Sequence, residues 1–132
     1  IVCGDLLTMK QSNYEWNEVK VNSSSSPSAR YGSSLVSFQP TNSPSGLLHC
    51  VLLFGGMNAS GIVLSDLWLG CPFTEVLSDD VWTLLEPTDG IATVHHSAII
   101  VNVKMLVFGG YTGKIIIYMC VCVCCLATII YR

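Results

Sequence analysis

An apolar run ending in Phe-Gly-Gly occurs twice in this chain, as Leu52-Leu53-Phe54-Gly55-Gly56 and as Leu106-Val107-Phe108-Gly109-Gly110, 54 residues apart from Phe54 to Phe108. A repeat on this scale constrains architecture before any local preference does. One supersecondary unit that recurs must bury its apolar face against its own copies. Paired glycines after an apolar strand permit positive φ and close backbone approach, as a tight turn between adjacent strands needs.

The surroundings of the two runs match as well. Gly32-Ser33-Ser34-Leu35-Val36 precedes the first and His96-Ser97-Ala98-Ile99-Ile100-Val101 the second, and both read as companion strands. After the first glycine pair come Ser65-Asp66-Leu67-Trp68-Leu69 and then Trp82-Thr83-Leu84-Leu85, which ends at Pro87 and a Gly-containing turn. The start of the chain carries the same couple, Gly4-Asp5-Leu6-Leu7 followed by Trp16-Asn17-Glu18-Val19. The order is therefore Asp-Leu strand, Trp strand, Ser-containing strand and Phe-Gly-Gly strand, begun again and broken off. Four short strands form a small twisted sheet that cannot bury both faces alone, and a Trp ring fills the gap between stacked sheets. Gln39 to Gly46, with Pro40 and Pro44, and Gly70 to Asp80, with Cys71-Pro72, read as long loops.

In this order the elements resemble the kelch repeat, whose units carry an apolar run ending in Gly-Gly, then a spaced aromatic, then a Trp. The resemblance covers Gly4 to Gly113 and rests on Asp5, Trp16, Phe54, Gly55, Gly56, Asp66, Trp68, Trp82, His96, Phe108, Gly109 and Gly110, with Trp68 standing where the family usually has Tyr. It implies an all-β fold, a partial β-propeller of about two four-stranded antiparallel blades. On that reading residues 1–22 are a half blade, 28–87 a full blade and 92–113 a half blade, followed by a hydrophobic, Cys-rich, non-propeller tail over 114–132. A small sandwich using Gly-Gly in two hairpins by chance leaves the paired Asp-Leu and Trp elements unexplained. Because propellers close with about four to eight blades, a piece this short is expected to expose sheet faces and edges, and to associate or dissolve poorly when expressed alone.

Length and charge narrow the function classes. At 132 residues the chain supports one core, and its six Lys or Arg against nine Asp or Glu are scattered, which argues against nucleic acid as a partner. Of seven cysteines, Cys3, Cys50 and Cys71 lie far apart while Cys120, Cys122, Cys124 and Cys125 crowd the tail. The odd count speaks against a complete disulfide framework and favours a reduced, cytoplasmic setting. Ile1-Val2-Cys3 carries no initiator Met or signal and reads as a truncated start.

Ile115 to Tyr131 arrives where the repeat calls for another Asp-x-aromatic strand, and does not supply one. Three readings compete. The first is a membrane helix, since 17 largely apolar residues between Lys114 and Arg132 reach the short limit for spanning, and a membrane partner follows only on this reading. A metal site on the C-x-C-x-C-C spacing is tighter than structural zinc sites allow and has no His nearby. Alternating Cys and Val is also what a TG dinucleotide repeat encodes, and Gly113-Lys114 can be written GGT AAG, which contains a splice-donor sequence, so the tail also reads as translated intron.

No nucleophile elbow, P-loop or H-E-x-x-H occurs, and no catalytic, cofactor-binding or metal-binding residue is assigned. Adjacent His95 and His96 point to opposite faces of a strand, a poor start for shared ligation, and Asp79-Asp80 reads as a solvated turn. The sequons Asn22-Ser23-Ser24 and Asn58-Ala59-Ser60 matter only in a secreted parent, and Ser23 to Ser26 with Pro27 reads as a flexible loop. The resemblance implies a protein-protein interaction module, a scaffold or adaptor without cofactor or catalysis, holding a protein partner by its long loops. Two alternatives stay open: a membrane-tethered kelch receptor-like protein, and a fragment of a galactose-oxidase-like propeller enzyme, whose copper site needs Tyr, Cys and His from several blades.

Overall fold

The computed structural model describes residues 7–10, 13–18, 26–39, 50–71, 81–85, 91–102, 104–114 and 120–125. Asp5, most of the loop from Gln39 to Gly46 and residues 72–80 lie outside them. The described part is all-β, as the composition and alternation lead one to expect, and contains no helix. Its strands are β1 (Leu7–Lys10), β2 (Glu15–Glu18), β3 (Arg30–Tyr31), β4 (Ser34–Phe38), β5 (Cys50–Phe54), β6 (Met57–Asn58), β7 (Leu67–Gly70), β8 (Trp82–Leu85), β9 (Ser97–Val101), β10 (Lys104–Phe108) and β11 (Cys120–Cys125). They pair antiparallel into a four-stranded sheet ordered β4-β5-β7-β8, a three-stranded sheet ordered β11-β10-β9, and the two-stranded pairs β1-β2 and β3-β6.

The internal duplication extends to hydrogen-bond register. Phe54 of β5 lies opposite Ser34 of β4, and Phe108 of β10 lies opposite Ser97 of β9. Three residues beyond each Phe the chain pairs again with the residue three before each Ser: Met57 with Tyr31, and Tyr111 with Val94. Both glycine pairs sit at positive φ, 61° and 95° in the first repeat and 72° and 101° in the second. Positive φ recurs two residues before each Ser, at Gly32 (65°) and at His95 (60°). The Asp-Leu and Trp elements repeat in the same way. The residue four after Asp66 is Gly70, opposite Trp82, and the residue four after Asp5 is Met9, opposite Trp16.

Strand alternation sends one face of each sheet inward. In β5, Cys50, Leu52 and Phe54 are buried while Val51 and Leu53 are half-buried. The core joins Leu52, Phe54 and Leu67 of the first sheet to Met105 and Val107 of the second, with Val36, Phe38, Leu69, Leu85, Ala98 and Ile100 packed around them. The two sheets approach each other chiefly through their first strands, β4 and β9.

The tail departs from expectation. Residues 120–125 do fill the third-strand position, pairing along β10 with Cys120 opposite Phe108, as Leu67 lies opposite Phe54, and with an irregularity between Met105 and Leu106. β-Branched Val alternating with small Cys suits a pleated strand, and the open edge of β10 gains backbone partners by pairing. These residues therefore belong to no membrane helix, and among the described residues no helix is long and apolar enough to cross a membrane.

At the end of the four-stranded sheet away from the glycine pair, the Trp82 ring lies flat on Gly70. A Cβ at Gly70 would stand 2.7 Å from Trp82 Cζ3, and Trp82 is only 6% exposed. Gly70→Ala should therefore displace the ring, red-shift its emission and lower stability by about 1–3 kcal/mol in urea titration.

Candidate functional site

Among the described residues the densest polar network lies at the glycine-pair end of the sheets, where the two repeats join. Arg30 in the short strand β3 is 6% exposed. Its Nε donates to the Ser28 carbonyl (2.9 Å) and its Nη2 to Ser28 Oγ (3.2 Å). Nη1 donates to the Gly55 carbonyl (3.0 Å), and Nη1 and Nη2 fork onto the Asp66 carboxylate at 2.5 and 2.8 Å. All five guanidinium donors are used. Asp66, just before β7, also accepts from Trp68 Nε1 (2.6 Å), and its carbonyl accepts from the Gly55 N–H (3.1 Å). Burial alone would raise the Asp66 pKa. The hydrogen bonds from Arg30 and Trp68 and the Arg30 charge overrule it and hold the carboxyl below its ordinary value.

The segment entering β9 docks on this frame through its backbone. Gly56 N–H donates to the Thr93 carbonyl (2.8 Å), Thr93 N–H to Leu64 (3.2 Å) and His95 N–H to Gly32 (2.8 Å). Such close approach explains Gly55: besides its positive φ, a Cβ there would stand 2.6 Å from the Thr93 carbonyl oxygen. At Gly110, which matches Gly56 in the second repeat, a Cβ would collide with Thr93 Oγ1.

His95 and His96 part company here. His95 is exposed beside Tyr31, ring centroids 5.8 Å apart. His96 is 9% exposed, edge-on to Phe54 at 5.4 Å, and its Nε2 shares a 2.9 Å hydrogen bond with Ser34 Oγ. Its Nδ1 is buried without a hydrogen-bond partner. Burial lowers the His96 pKa; the Thr93 backbone opposes this and nearby His95 adds to it. A neutral imidazole thus sits between the repeats. Its Ser34 contact ties β4 to the start of β9, and the Asp66 carboxylate accepts from Arg30 and Trp68. The hydrogen bonds of this cluster join the four-stranded sheet to the segment that enters β9. Among the described residues no three His, Cys, Asp or Glu groups converge as metal ligands.

Of the motif residues, Phe54, Gly55, Gly56, Asp66, Trp68, His96, Gly109 and Gly110 gather at this junction. Trp82 lies at the opposite end of its sheet on Gly70, Trp16 is 67% exposed in the β1-β2 hairpin and Phe108 is 59% exposed. Sequence reading passed over Arg30, Ser34 and Thr93. Their signal was positional: Arg30 and Thr93 each stand four residues before the Ser that faces a Phe. It also passed over a disulfide. Cys50 and Cys71 are bridged, Cα atoms 4.3 Å apart, against the expectation of a reduced chain. Each lies four residues from the Phe54–Leu67 pair, so antiparallel register sets them face to face. Closing a loop of sequence separation 21 contributes about 3 kcal/mol in the chain-entropy account. Comparison with models of known protein families and with curated proteins finds no match for this chain.

The ion pair and the histidine each predict an acid limb. A lowered Asp66 pKa means that the folded chain holds this proton more weakly than the unfolded one, so its stabilisation is complete above the ordinary 3.8 and fades as pH falls through the folded value. For His96, lowered from 6.5, stability declines as pH drops below about 6.5. Asp66→Asn should cost about 3 kcal/mol at neutral pH by leaving Arg30 buried and uncompensated, and should flatten the lower limb alone. A stability profile from pH 7 downward that keeps that limb in the variant would refute the assignment.

Proposed function

We propose that this chain is a piece of a kelch-type β-propeller that acts as a protein-interaction module. The observation carrying this reading is the recurrence of one complete hairpin register, Ser34 with Phe54 and Ser97 with Phe108, in two sheets that approach through their first strands β4 and β9. First strands set side by side are what a ring of sheets around a common axis requires. Further support comes from the matching Asp and Trp spacing of the two Trp hairpins. The polar groups at the junction are spent on holding sheets together, which suits a scaffold that presents loops. The contact regions are the loops from Gln39 to Gly46 and from Gly70 to Asp80, which spring from the end of the four-stranded sheet opposite the junction. Crosslinking capture with the intact chain, compared with deletions of 41–45 and of 73–79, tests this. A partner held by the intact chain and weakened roughly tenfold by a deletion that leaves Trp82 emission unchanged supports the module; partners indifferent to both deletions speak against it.

A second reading, the receptor-like one, gains from the Cys50–Cys71 bridge, because disulfides persist in oxidising compartments. Thiol counting on chain produced in the cytosol and on chain exported to an oxidising compartment decides between them. Bridge formation only on export, with a more stable exported product, supports the second reading; a bridge that adds no stability removes its basis.

A further inference from the structure

Register equivalence between the repeats shows what should cover each sheet face. Inside the chain, the face of the first sheet bearing Val36, Leu52 and Phe54 is covered by the second sheet, which answers with Ala98, Ile100, Met105 and Val107. Paired positions carry this one interface to the other face of each sheet. Val36, Leu52 and Phe54 correspond to Ile99, Leu106 and Phe108, while Ala98, Ile100, Met105 and Val107 correspond to Leu35, Ser37, Val51 and Leu53. The second repeat thus offers a further copy of the receiving face, with Ile99 and Phe108 each 59% exposed and Val101 43% exposed. The first repeat offers a further copy of the answering face, a cross-strand row of Leu35, Leu53, Trp68 and Leu84 in which Leu35 is 57% and Leu84 54% exposed.

We propose that a second copy of this chain docks its Leu35–Leu84 row on the Ile99–Phe108 face, so that the packing made once within the chain is made again between chains. This goes beyond the interaction-module reading and rests on the internal duplication alone. The two surfaces are different, so the contact is head-to-tail: it leaves one free face of each kind on every pair and continues as a series or closes as a ring, in contrast to a two-fold dimer, which consumes identical surfaces. Exposed apolar rows of this kind are what association interfaces bury.

Sedimentation velocity on the full chain over a hundredfold concentration range, with Phe108→Glu and Leu35→Glu separately and mixed, tests the proposal. Both sites are exposed, and each variant spoils one face only. The wild type should form species larger than a dimer as concentration rises. Each variant alone should associate roughly tenfold or more weakly. Their equimolar mixture should recover a one-to-one complex, because the intact row of one meets the intact face of the other, and that recovery also shows both variants folded. A wild type that stays monomeric overturns the proposal. So does a two-fold dimer lost in one variant and kept in the other, a mixture that recovers nothing, or aggregation indifferent to both substitutions.

Discussion

A guanidinium taken out of water is tolerated only when its charge is paired and its donors are satisfied, and Arg30 meets both conditions at the place where three backbone segments converge. Its fork onto Asp66 fixes the start of β7, its bond to the Gly55 carbonyl fixes the turn after β5, and its bonds to Ser28 fix the approach to β3. The turn held in this way presents the Gly56 N–H to the Thr93 carbonyl of the next repeat. Through that turn a charge buried in one sheet braces the contact made with the next.

The second repeat shows how much of that device the architecture demands. Thr93 takes the position of Arg30, is fully buried, and offers a single hydroxyl 3.5 Å from the Gly109 carbonyl, the counterpart of Gly55. The residue in sequence before Cys120, matching Asp66 before Leu67, is Met119 and carries no charge. Backbone geometry at the glycine pair is nonetheless kept, with φ values within about ten degrees of the first repeat. The turn is therefore set by glycine and register, and the ion pair adds acid-sensitive stability and orientational specificity to one copy. His96 plays a comparable part between the repeats, filling space against Phe54 as a neutral ring that ties Ser34 to the entry of β9.

Much of this was legible because β-structure writes itself in period two and in glycine pairs. The strands around Phe54 and Phe108, their companions starting at Ser34 and Ser97, and the Trp hairpins all follow from local pattern. The role of Asp66 was not legible, since a carboxylate before a strand looks the same whether it meets water or a buried arginine 36 residues away. The Cys50–Cys71 bridge was hidden for a related reason: cysteine counting ignores register, and register alone sets these two opposite each other. The apolar tail misled in the other direction. Its composition suits a membrane, while its alternation suits an edge, and residues 120–125 take the edge that β10 leaves open.

Taken alone, the sequence determined that the chain is built from a duplicated β unit, where its tight turns fall, and which residues alternate inward, because these depend on neighbours two or three positions apart. Tertiary structure alone decided which inward face meets which. It placed Leu52 and Phe54 under Met105 and Val107 yet left their counterparts Leu106 and Phe108 without such a cover from the described sheets. Equivalent residues in equivalent strands thereby acquire opposite environments, because burial is a property of what packs above a strand, which nothing within the strand encodes.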